Sequence, residues 1–158
     1  VSSTEQWVNP GEDVLDGTRR YPTRPVVGVG VVIWRGDRVL LVRRGRPPRQ
    51  GSWSLPGGAQ ELGETAFEAG RREAKEETGL DIEVLGLIDV VDSIHPGADG
   101  RIEYHYTLVE IAAESTTGEA CAGDDAAAIG WFGAGELRDL ELPPGTERLV
   151  LSSRRLRR

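Results

Sequence analysis

Apolar residues are concentrated first in one aliphatic block and then in shorter segments separated by turn residues. Residues 26–34 and 38–42 are rich in β-branched and aliphatic side chains, and Gly36 and Asp37 lie between the two segments. Glycine and aspartate favour tight turns, and β-branched side chains favour strands. The pattern therefore predicts a β-hairpin at this position.

Shorter segments continue the pattern through the rest of the chain. A short strand is indicated at Trp53 and Leu55, and it ends at Pro56, Gly57 and Gly58. Further strands are predicted over residues 81–91, 102–112 and 128–132, with a loop containing Pro96, a helical turn over residues 135–140 and a final helix over residues 146–156. Because strands and helices alternate irregularly after a hairpin, we expect an α/β fold of the mixed α+β kind, a mixed sheet between helices.

One predicted helix, over residues 64–78, has clear limits and a face of small residues. Gly63 precedes the helix and Gly79 ends it, as glycine does at many helix C-termini. The small side chains that recur along one face are Ala66, Ala69, Gly70 and Ala74, and Phe67 lies beside them. We expect this face to pack closely on the sheet, with Phe67 as a larger anchor beside it.

The first 25 residues differ from the rest of the chain. They are polar, contain several prolines and glycines, and show no sustained hydrophobic period. The chain has 158 residues, enough for one domain with a sizeable core. We therefore predict an N-terminal arm over residues 1–25 and a single domain over residues 26–158.

Charge and cysteine content narrow the range of partners. The net charge of -7 argues against nucleic acid as a partner, and an acidic chain that binds phosphates needs a basic patch or a metal ion. Cys121 is the only cysteine, so an internal disulfide is excluded and a reducing compartment fits. No apolar run approaches the ~20 residues of a membrane helix. We expect a cytoplasmic protein that does not bind membranes, and a homodimer is left open.

Three glutamates near the end of the predicted helix form the chemically informative cluster. Glu73 lies three and four residues before Glu76 and Glu77, so the three side chains share one face of a helix. Clustered negative charge near a helix C-terminus is unfavourable unless a cation neutralises it. Carboxylate oxygens select a hard cation, magnesium or manganese. Most such clusters are simply solvated, and the flanking residues decide between the two interpretations.

The flanking residues complete a longer motif. Its members are Gly58, Glu64, Arg72, Glu73, Ala74, Glu76, Glu77, Gly79 and Leu80. They stand at every spacing of the Nudix box: Gly, five residues, Glu, seven residues, Arg-Glu, an aliphatic residue, any residue, Glu-Glu, any residue, Gly and an aliphatic residue. The chain therefore resembles the Nudix hydrolase family over residues 58–80, with small Ala74 as the one soft departure.

The resemblance implies a fold, a reaction and a cofactor. It implies the Nudix fold and the hydrolysis of a nucleoside diphosphate linked to another group, with Mg²⁺ or Mn²⁺. Pro96 resembles a proline that is associated in this family with ADP-ribose pyrophosphatases, so ADP-ribose is the expected small nucleotide-diphosphate substrate. A pyrophosphohydrolase of normal or oxidised nucleoside triphosphates and a non-catalytic nucleotide sensor stay open as alternatives.

Roles for the box residues follow from the resemblance. Glu73 and Glu77 resemble the primary metal ligands, Glu76 resembles a further ligand or a water-holding residue, and the carbonyl of Gly57 resembles a backbone ligand. Gly58 and Gly79 resemble the structural glycines of the motif, a role that suits the close backbone approach glycine allows.

Two further roles concern the neighbours of the ligands. Glu64 and Arg72 resemble the positions that hold the helix and orient Glu73, and an arginine can donate paired hydrogen bonds to a carboxylate. In some family members the general base is a box glutamate, and in others it is an acidic residue on a later loop. Asp124 and Asp125 lie in such a loop, and Asp125 is our candidate, although a solvated turn explains the pair equally well.

Residues outside the box are candidates for substrate binding. Four arginines precede the turn at Pro56, Gly57 and Gly58, where the box begins: Arg43, Arg44, Arg46 and Arg49. Guanidinium groups suit phosphate oxygens, although an exposed basic loop is the alternative interpretation. Tyr104 and Tyr106 share one side of their predicted strand, where they could stack on a substrate ring or fill the core.

Overall fold

The computed structural model describes residues 19–45, 50–124 and 126–158. Within these residues the strands are β1 (Val26–Arg35), β2 (Arg38–Arg44), β3 (Trp53–Ser54), β4 (Gly57–Ala59), β5 (Glu83–Pro96), β6 (Ile102–Glu114) and β7 (Ala126–Gly133). The helices are α1 (Ala66–Thr78) and α2 (Thr146–Ser153), with 3-10 helices at Ala134–Asp139 and Arg154–Leu156.

The described strands form one mixed sheet, which is organised around β1. Strand β1 is parallel to β6 and antiparallel to β2, and β5 lies outside β6 at one edge. The first half of β1 pairs with β4, whereas its end pairs with β2. Strand β4 has no second strand partner among the described strands.

The core lies on both faces of this sheet because consecutive apolar residues of β1 point to opposite faces. Val29, Val31 and Ile33 pack in a cluster with small residues of α1. Val32 and Trp34 point to the opposite face and pack in a second cluster with residues of α2. The predicted architecture, a mixed sheet between helices, is therefore confirmed.

The predicted hairpin and the predicted main helix are also confirmed, with two corrections. The helix begins at Ala66 because the side chain of Thr65 caps it by accepting from the amide of Glu68 at 3.1 Å. It ends at Gly79, whose φ of 74° is left-handed. The expectation that Phe67 anchors α1 on the sheet was wrong. Phe67 is 36% exposed, since the small residues already bring α1 onto the sheet.

Two strand predictions were incomplete. The segment after Pro56, expected to be only a turn, contains β4, which pairs with β1. Strand β5 extends to Pro96 because its last residues still pair with β6, so Pro96 lies at a strand end and not in a loop.

Only the end of the predicted N-terminal arm falls within the described residues, and residues 1–18 lie outside them. The amide of Tyr21 donates to the carbonyl of Glu103 at 2.7 Å, and Arg101 lies over the Tyr21 ring at 4.4 Å. These contacts fix the chain beside the start of β6 before it enters β1. The division into arm and domain stays a prediction.

Candidate active site

The candidate site is built around the Gly57–Gly58 dipeptide of β4, which lies against α1. A methyl group at Gly58 would overlap the carboxyl group of Glu73, and a methyl group at Gly57 would overlap the carbonyl oxygen of Val29. Glycine at position 58 therefore allows α1 to approach β4 closely, and glycine at position 57 allows β4 to approach the backbone of β1.

The clustered glutamates Glu73, Glu76 and Glu77 occupy different environments at this contact. The side chain of Glu73 is 7% exposed, whereas that of Glu76 is 58% exposed. Oε2 of Glu77 accepts a hydrogen bond from the amide of Gly57 at 3.2 Å. Glu73 and Glu77 thus approach the Gly57–Gly58 dipeptide together, and Glu76 lies toward solvent.

Arg72 joins the start of α1 to its glutamates. Its Nε and Nη2 donate to the two carboxylate oxygens of Glu64 at 3.1 and 2.7 Å. Its Nη1 donates to Glu73 at 2.9 Å and to Glu76 at 3.3 Å, and Nη2 also donates to the carbonyl of Ala59 at 2.9 Å. The Arg72 hydrogen bond holds the pKa of Glu64 below its ordinary value, and the same bond raises the pKa of Arg72.

The oxygens at this site fit a hydrated hard cation better than a closed cage. In the part of the chain that the structure describes, no three acidic, histidine or cysteine side chains converge as a complete metal site. Instead, the Glu73 carboxylate accepts from Arg72 and the Glu77 carboxylate accepts from the amide of Gly57. Magnesium usually takes one or two carboxylates and completes its shell with water and substrate phosphates, so these carboxylates and the Gly57 carbonyl are a suitable donor set.

The loop that carries the candidate base is attached to the end of α1. The amide of Cys121 donates to the carbonyl of Thr78 and that of Gly123 to the carbonyl of Glu77, both at 2.9 Å. Asp124 follows directly and is exposed. Asp125, our candidate for the base, lies outside the described residues.

The predicted arginine patch is only partly described. The Arg43 guanidinium lies 5.7 Å from the centre of the Trp53 ring, and its Nε is buried without a hydrogen-bond partner in the described structure. Arg44 is buried. Arg46 and Arg49 lie outside the described residues.

A cavity beside Trp53 was not predicted from the sequence. It has a volume of about 690 Å³, and it is lined by Gln50, Gly51, Ser52, Trp53, Asp139, Leu140, Glu141, Leu142, Pro143 and Pro144. Two segments far apart in the sequence form it, and the pairing of β2 with β3 and β7 brings them together. In the sequence, only the position of Trp53, just before Pro56, Gly57 and Gly58, could have indicated a cavity here.

The tyrosine pair of β6 is divided between core and surface. Tyr106 is buried, whereas Tyr104 is half-buried and lies in register with His95 of β5. Nε2 of His95 is 2.8 Å from Oγ of the buried Ser93. The substrate-binding role of Tyr104 stays a prediction.

A second buried carboxyl group also escaped the sequence-based interpretation. Glu110 of β6 is 5% exposed, and its Oε2 has no hydrogen-bond partner among the described residues. Burial, with a smaller contribution from the charge of Asp89, raises the pKa of Glu110 to about 7. A lone glutamate between apolar residues in a strand gave no reason to single it out.

Comparison with known proteins identifies the family to which this geometry belongs. A family model described as NUDIX domain matches residues 24–152. The chain belongs to the Nudix family. The predicted family and fold are thereby confirmed, and hydrolases of this family generally need a divalent metal.

Individual Nudix relatives agree with this assignment. An ADP-ribose pyrophosphatase of Methanocaldococcus jannaschii is 39% identical over 121 residues, which cover 77% of this chain and 69% of that protein. YjhB of Bacillus subtilis is 37% identical over 111 residues, but the chain spans only 51% of its length. A MutT Nudix hydrolase from Burkholderia pseudomallei is 33% identical, with a TM-score of 0.66 and coverage of 82% of this chain and 98% of that chain. Among the described residues, no helix has the length and apolar character to cross a membrane.

Proposed function

We propose that this Nudix chain hydrolyses the diphosphate linkage of a nucleoside diphosphate derivative, with ADP-ribose as the expected substrate and Mg²⁺ or Mn²⁺ as the cofactor. One observation carries the proposal. The intact box places the carboxylates of Glu73 and Glu77 at a single glycine dipeptide, where Glu73 leaves no room for a side chain at Gly58 and the β1 backbone leaves none at Gly57. The similarity to the M. jannaschii ADP-ribose pyrophosphatase supports the choice of substrate.

In this proposal Glu73, Glu77 and the carbonyl of Gly57 would hold the cation, and Glu76 would contribute directly or through water. When bound there, such a cation would favour activation of a water and would offset negative charge on the diphosphate. Arg72 is a positioning residue: its bonds to Glu64 and Glu73 fix the orientation of the Glu73 carboxylate.

The loop after β6 supplies the general base in this proposal. The Gly123–Glu77 hydrogen bond holds this loop against the end of α1, which supports a role for Asp125 in taking the proton of the attacking water. The water oxygen bonds to one phosphorus and the bridging P–O bond breaks, so ADP-ribose would give AMP and ribose 5-phosphate.

The surroundings of Trp53 support the binding of a nucleoside beside the diphosphate. Trp53 is four residues from Gly57, and an extended chain of that length spans at most about 13 Å. A diphosphate at Gly57 could therefore place its nucleoside in the cavity, where Trp53 offers a ring surface and Asp139 and Glu141 offer acceptors. The Arg43 guanidinium lies over the same Trp53 ring, which supports a contact between Arg43 and a phosphate group.

A substrate panel tests this function. With Mg²⁺, we expect ADP-ribose to yield AMP and ribose 5-phosphate in equal amounts, separated by anion-exchange chromatography. Release of pyrophosphate from nucleoside triphosphates alone would replace this function by the first alternative. Binding of nucleotides without cleavage of any phosphoanhydride, with either Mg²⁺ or Mn²⁺, would favour the non-catalytic sensor.

Replacing Gly58 by alanine should impair metal use more than folding. The added methyl group overlaps the carboxyl end of Glu73, which is flexible and can move aside, so we expect a loss of stability below about 1.5 kcal/mol. The displaced carboxylate should raise the Mg²⁺ concentration for half-maximal activity about tenfold. Metal titrations of activity and thermal melts measure the two effects.

Gly57→Ala is the matched comparison for this variant. Its methyl group meets the backbone of Val29, which cannot move aside without disturbing β1, so this variant should lose more stability than Gly58→Ala. An unchanged metal requirement in a folded Gly58→Ala protein would contradict the role of Glu73.

Two further expectations accompany this function. We keep the cytoplasm as the expected compartment, supported by the single cysteine, Cys121. The protein could form a homodimer, and sedimentation of the purified protein would determine its oligomeric state.

A further inference from the structure

The sheet face opposite α1 has a group of adjacent positions with almost no side chains beside the candidate site. Gly28 and Gly30 of β1 pair with Ala59 and Gly57 of β4, and all four residues are buried. Directly paired residues share a face of the sheet. We call Gly28, Gly30, Gly57 and Ala59 the small-residue floor. Small residues alone do not make a site, so the polar group directed at the floor decides its significance.

That polar group is the carboxyl group of Glu110. Glu110 pairs with Gly30 from the other side of β1, so it lies in one row of the sheet with Gly30 and Gly57. A methyl group at Gly30 would overlap Oε2 of Glu110. The carboxyl group therefore lies over Gly30 and extends across β1 toward β4, where Gly57 binds Glu77.

A purely structural role does not account for this carboxyl group. Glu110 is 5% exposed and its Oε2 lacks a partner among the described residues, an arrangement that costs stability. Its neighbour in register, Asp89, carries the same charge, and the cation Arg148 pairs with Asp89 at 3.5 Å. A leucine would fill this position without the cost, so the free acceptor points to a donor supplied by a ligand.

The position of the floor limits what that donor can be. Neighbouring strands are about 4.8 Å apart, so a group over Gly30 lies one strand away from Gly57. If a diphosphate binds at Gly57, only the group attached directly to it can reach the carboxyl group of Glu110. In a nucleoside diphosphate derivative that group is a pentose, and carboxylates are suitable acceptors for its hydroxyl groups.

We propose that the small-residue floor receives the pentose next to the diphosphate and that Glu110 accepts hydrogen bonds from its hydroxyl groups. This inference rests on the proposed function and deepens it, because Glu110 becomes a residue that determines specificity for ribose. Gly28 and Gly30 carry no side chains that a sugar would have to displace, and Glu110 provides the polar contact.

The test compares ADP-ribose with two analogues, each lacking the 2-hydroxyl group of one of its two riboses. We expect the wild-type protein to prefer ADP-ribose in kcat/KM over at least one analogue by about tenfold, since a hydrogen bond to a buried acceptor has an effect of that order. Glu110→Leu should lose about tenfold in kcat/KM on ADP-ribose and lose the preference, while its Tm stays equal or rises. Glu110→Gln should keep part of the preference, because its amide oxygen still accepts.

The control is Glu114→Gln, on the same strand, where Glu114 pairs with Arg157 at 3.0 Å outside the floor. It should keep both the rate and the preference of the wild-type protein. An unaltered preference in folded Glu110→Leu would overturn this inference while the proposed function stands. If Glu110→Leu does not fold, an unaltered preference in Glu110→Gln has the same meaning. A wild-type protein that cleaves none of the three compounds would overturn the proposed function, and this inference with it.

Discussion

Replacing Glu77 by glutamine should lower kcat for ADP-ribose on the order of 10³-fold and leave the fold intact. The amide of Gly57 donates to Glu77 Oε2 at 3.2 Å, and the glutamine oxygen can accept the same bond, so the contact between α1 and β4 is kept. What is lost is the negative charge that we assign to cation binding. A cation that stabilises the transition state contributes several kcal/mol, which corresponds to this decrease in rate.

The measurement combines steady-state kinetics with isothermal titration of Mg²⁺ and a thermal melt. Glu77→Gln should bind Mg²⁺ more weakly than the wild-type protein, with a Tm in the absence of metal that is similar or higher, because one of three clustered charges is removed. Excess Mn²⁺ should restore part of the activity if affinity is the main loss.

Two glutamates of the same helix provide the comparison. Glu68 lies in the first turn of α1 and is exposed, so Glu68→Gln should leave kcat and metal affinity unchanged. Glu76 is far more exposed than Glu73 and should show an intermediate effect. Full activity of Glu77→Gln at low Mg²⁺ would count decisively against the metal assignment.

Features that depend on neighbours in the sequence could be predicted well. The box glutamates share a face because positions three and four apart on any helix do, and Gly79 ends the helix because glycine adopts the left-handed conformation easily. The hairpin of β1 and β2 could also be predicted, because two segments of strand-forming residues are separated by turn residues. The family resemblance then supplied roles that no local pattern contains.

Features that depend on strand register could not be predicted. Glu110 lies in one row with Gly30 and Gly57 only because β6 pairs with β1 at Gly30 and β1 pairs with β4 at Gly57. A shift of one residue between β6 and β1 would turn Glu110 to the other face, and a shift between β1 and β4 would do the same to Gly57. The cavity beside Trp53 likewise needs the pairing of β2 with β3, which joins segments that carry no shared motif.

The incorrect prediction for Phe67 has a similar cause. Helical periodicity defines which side of α1 is apolar, but the width of the buried stripe depends on how closely the sheet approaches. Ala69, Gly70 and Ala74 allow a very close approach, and Gly70 lies where an added methyl group would meet Ile111. Phe67, at the margin of that stripe, consequently remains exposed.

Replacing Arg72 by methionine should have the largest effect on stability, a decrease of about 3 kcal/mol in the free energy of unfolding. Without the Arg72 guanidinium, the side chains of Glu73, at 7% exposure, and Glu64, at 14%, lose their shared ion-pair partner. A partly buried carboxylate that loses its partner is strongly destabilising. For a chain of this size each kcal/mol lowers Tm by about 2–4 °C. Urea unfolding and thermal melts, both without added metal, measure the change.

Arg72→Lys separates charge from geometry at the same position. Lysine keeps the positive charge but cannot donate the paired bonds that Arg72 makes to the two oxygens of Glu64, so its stability should lie between those of the other two proteins. Glu61 gives the matched control: it is exposed and 3.7 Å from Arg72, so Glu61→Gln should change stability by less than about 0.5 kcal/mol.

The pH dependence of the Arg72→Met effect identifies its cause. The Arg72 hydrogen bond lowers the pKa of Glu64 in the folded chain, so this pair stabilises the fold above the ordinary Glu pKa of 4.5. The contribution disappears as pH falls through the lowered pKa, because Glu64 is then protonated in both states. The stability difference between wild type and Arg72→Met should thus be full at pH 7 and shrink below about pH 4.5. A difference that is constant from pH 7 to pH 3 would mean that lost packing of the arginine stem, and not the ion pair, causes the destabilisation.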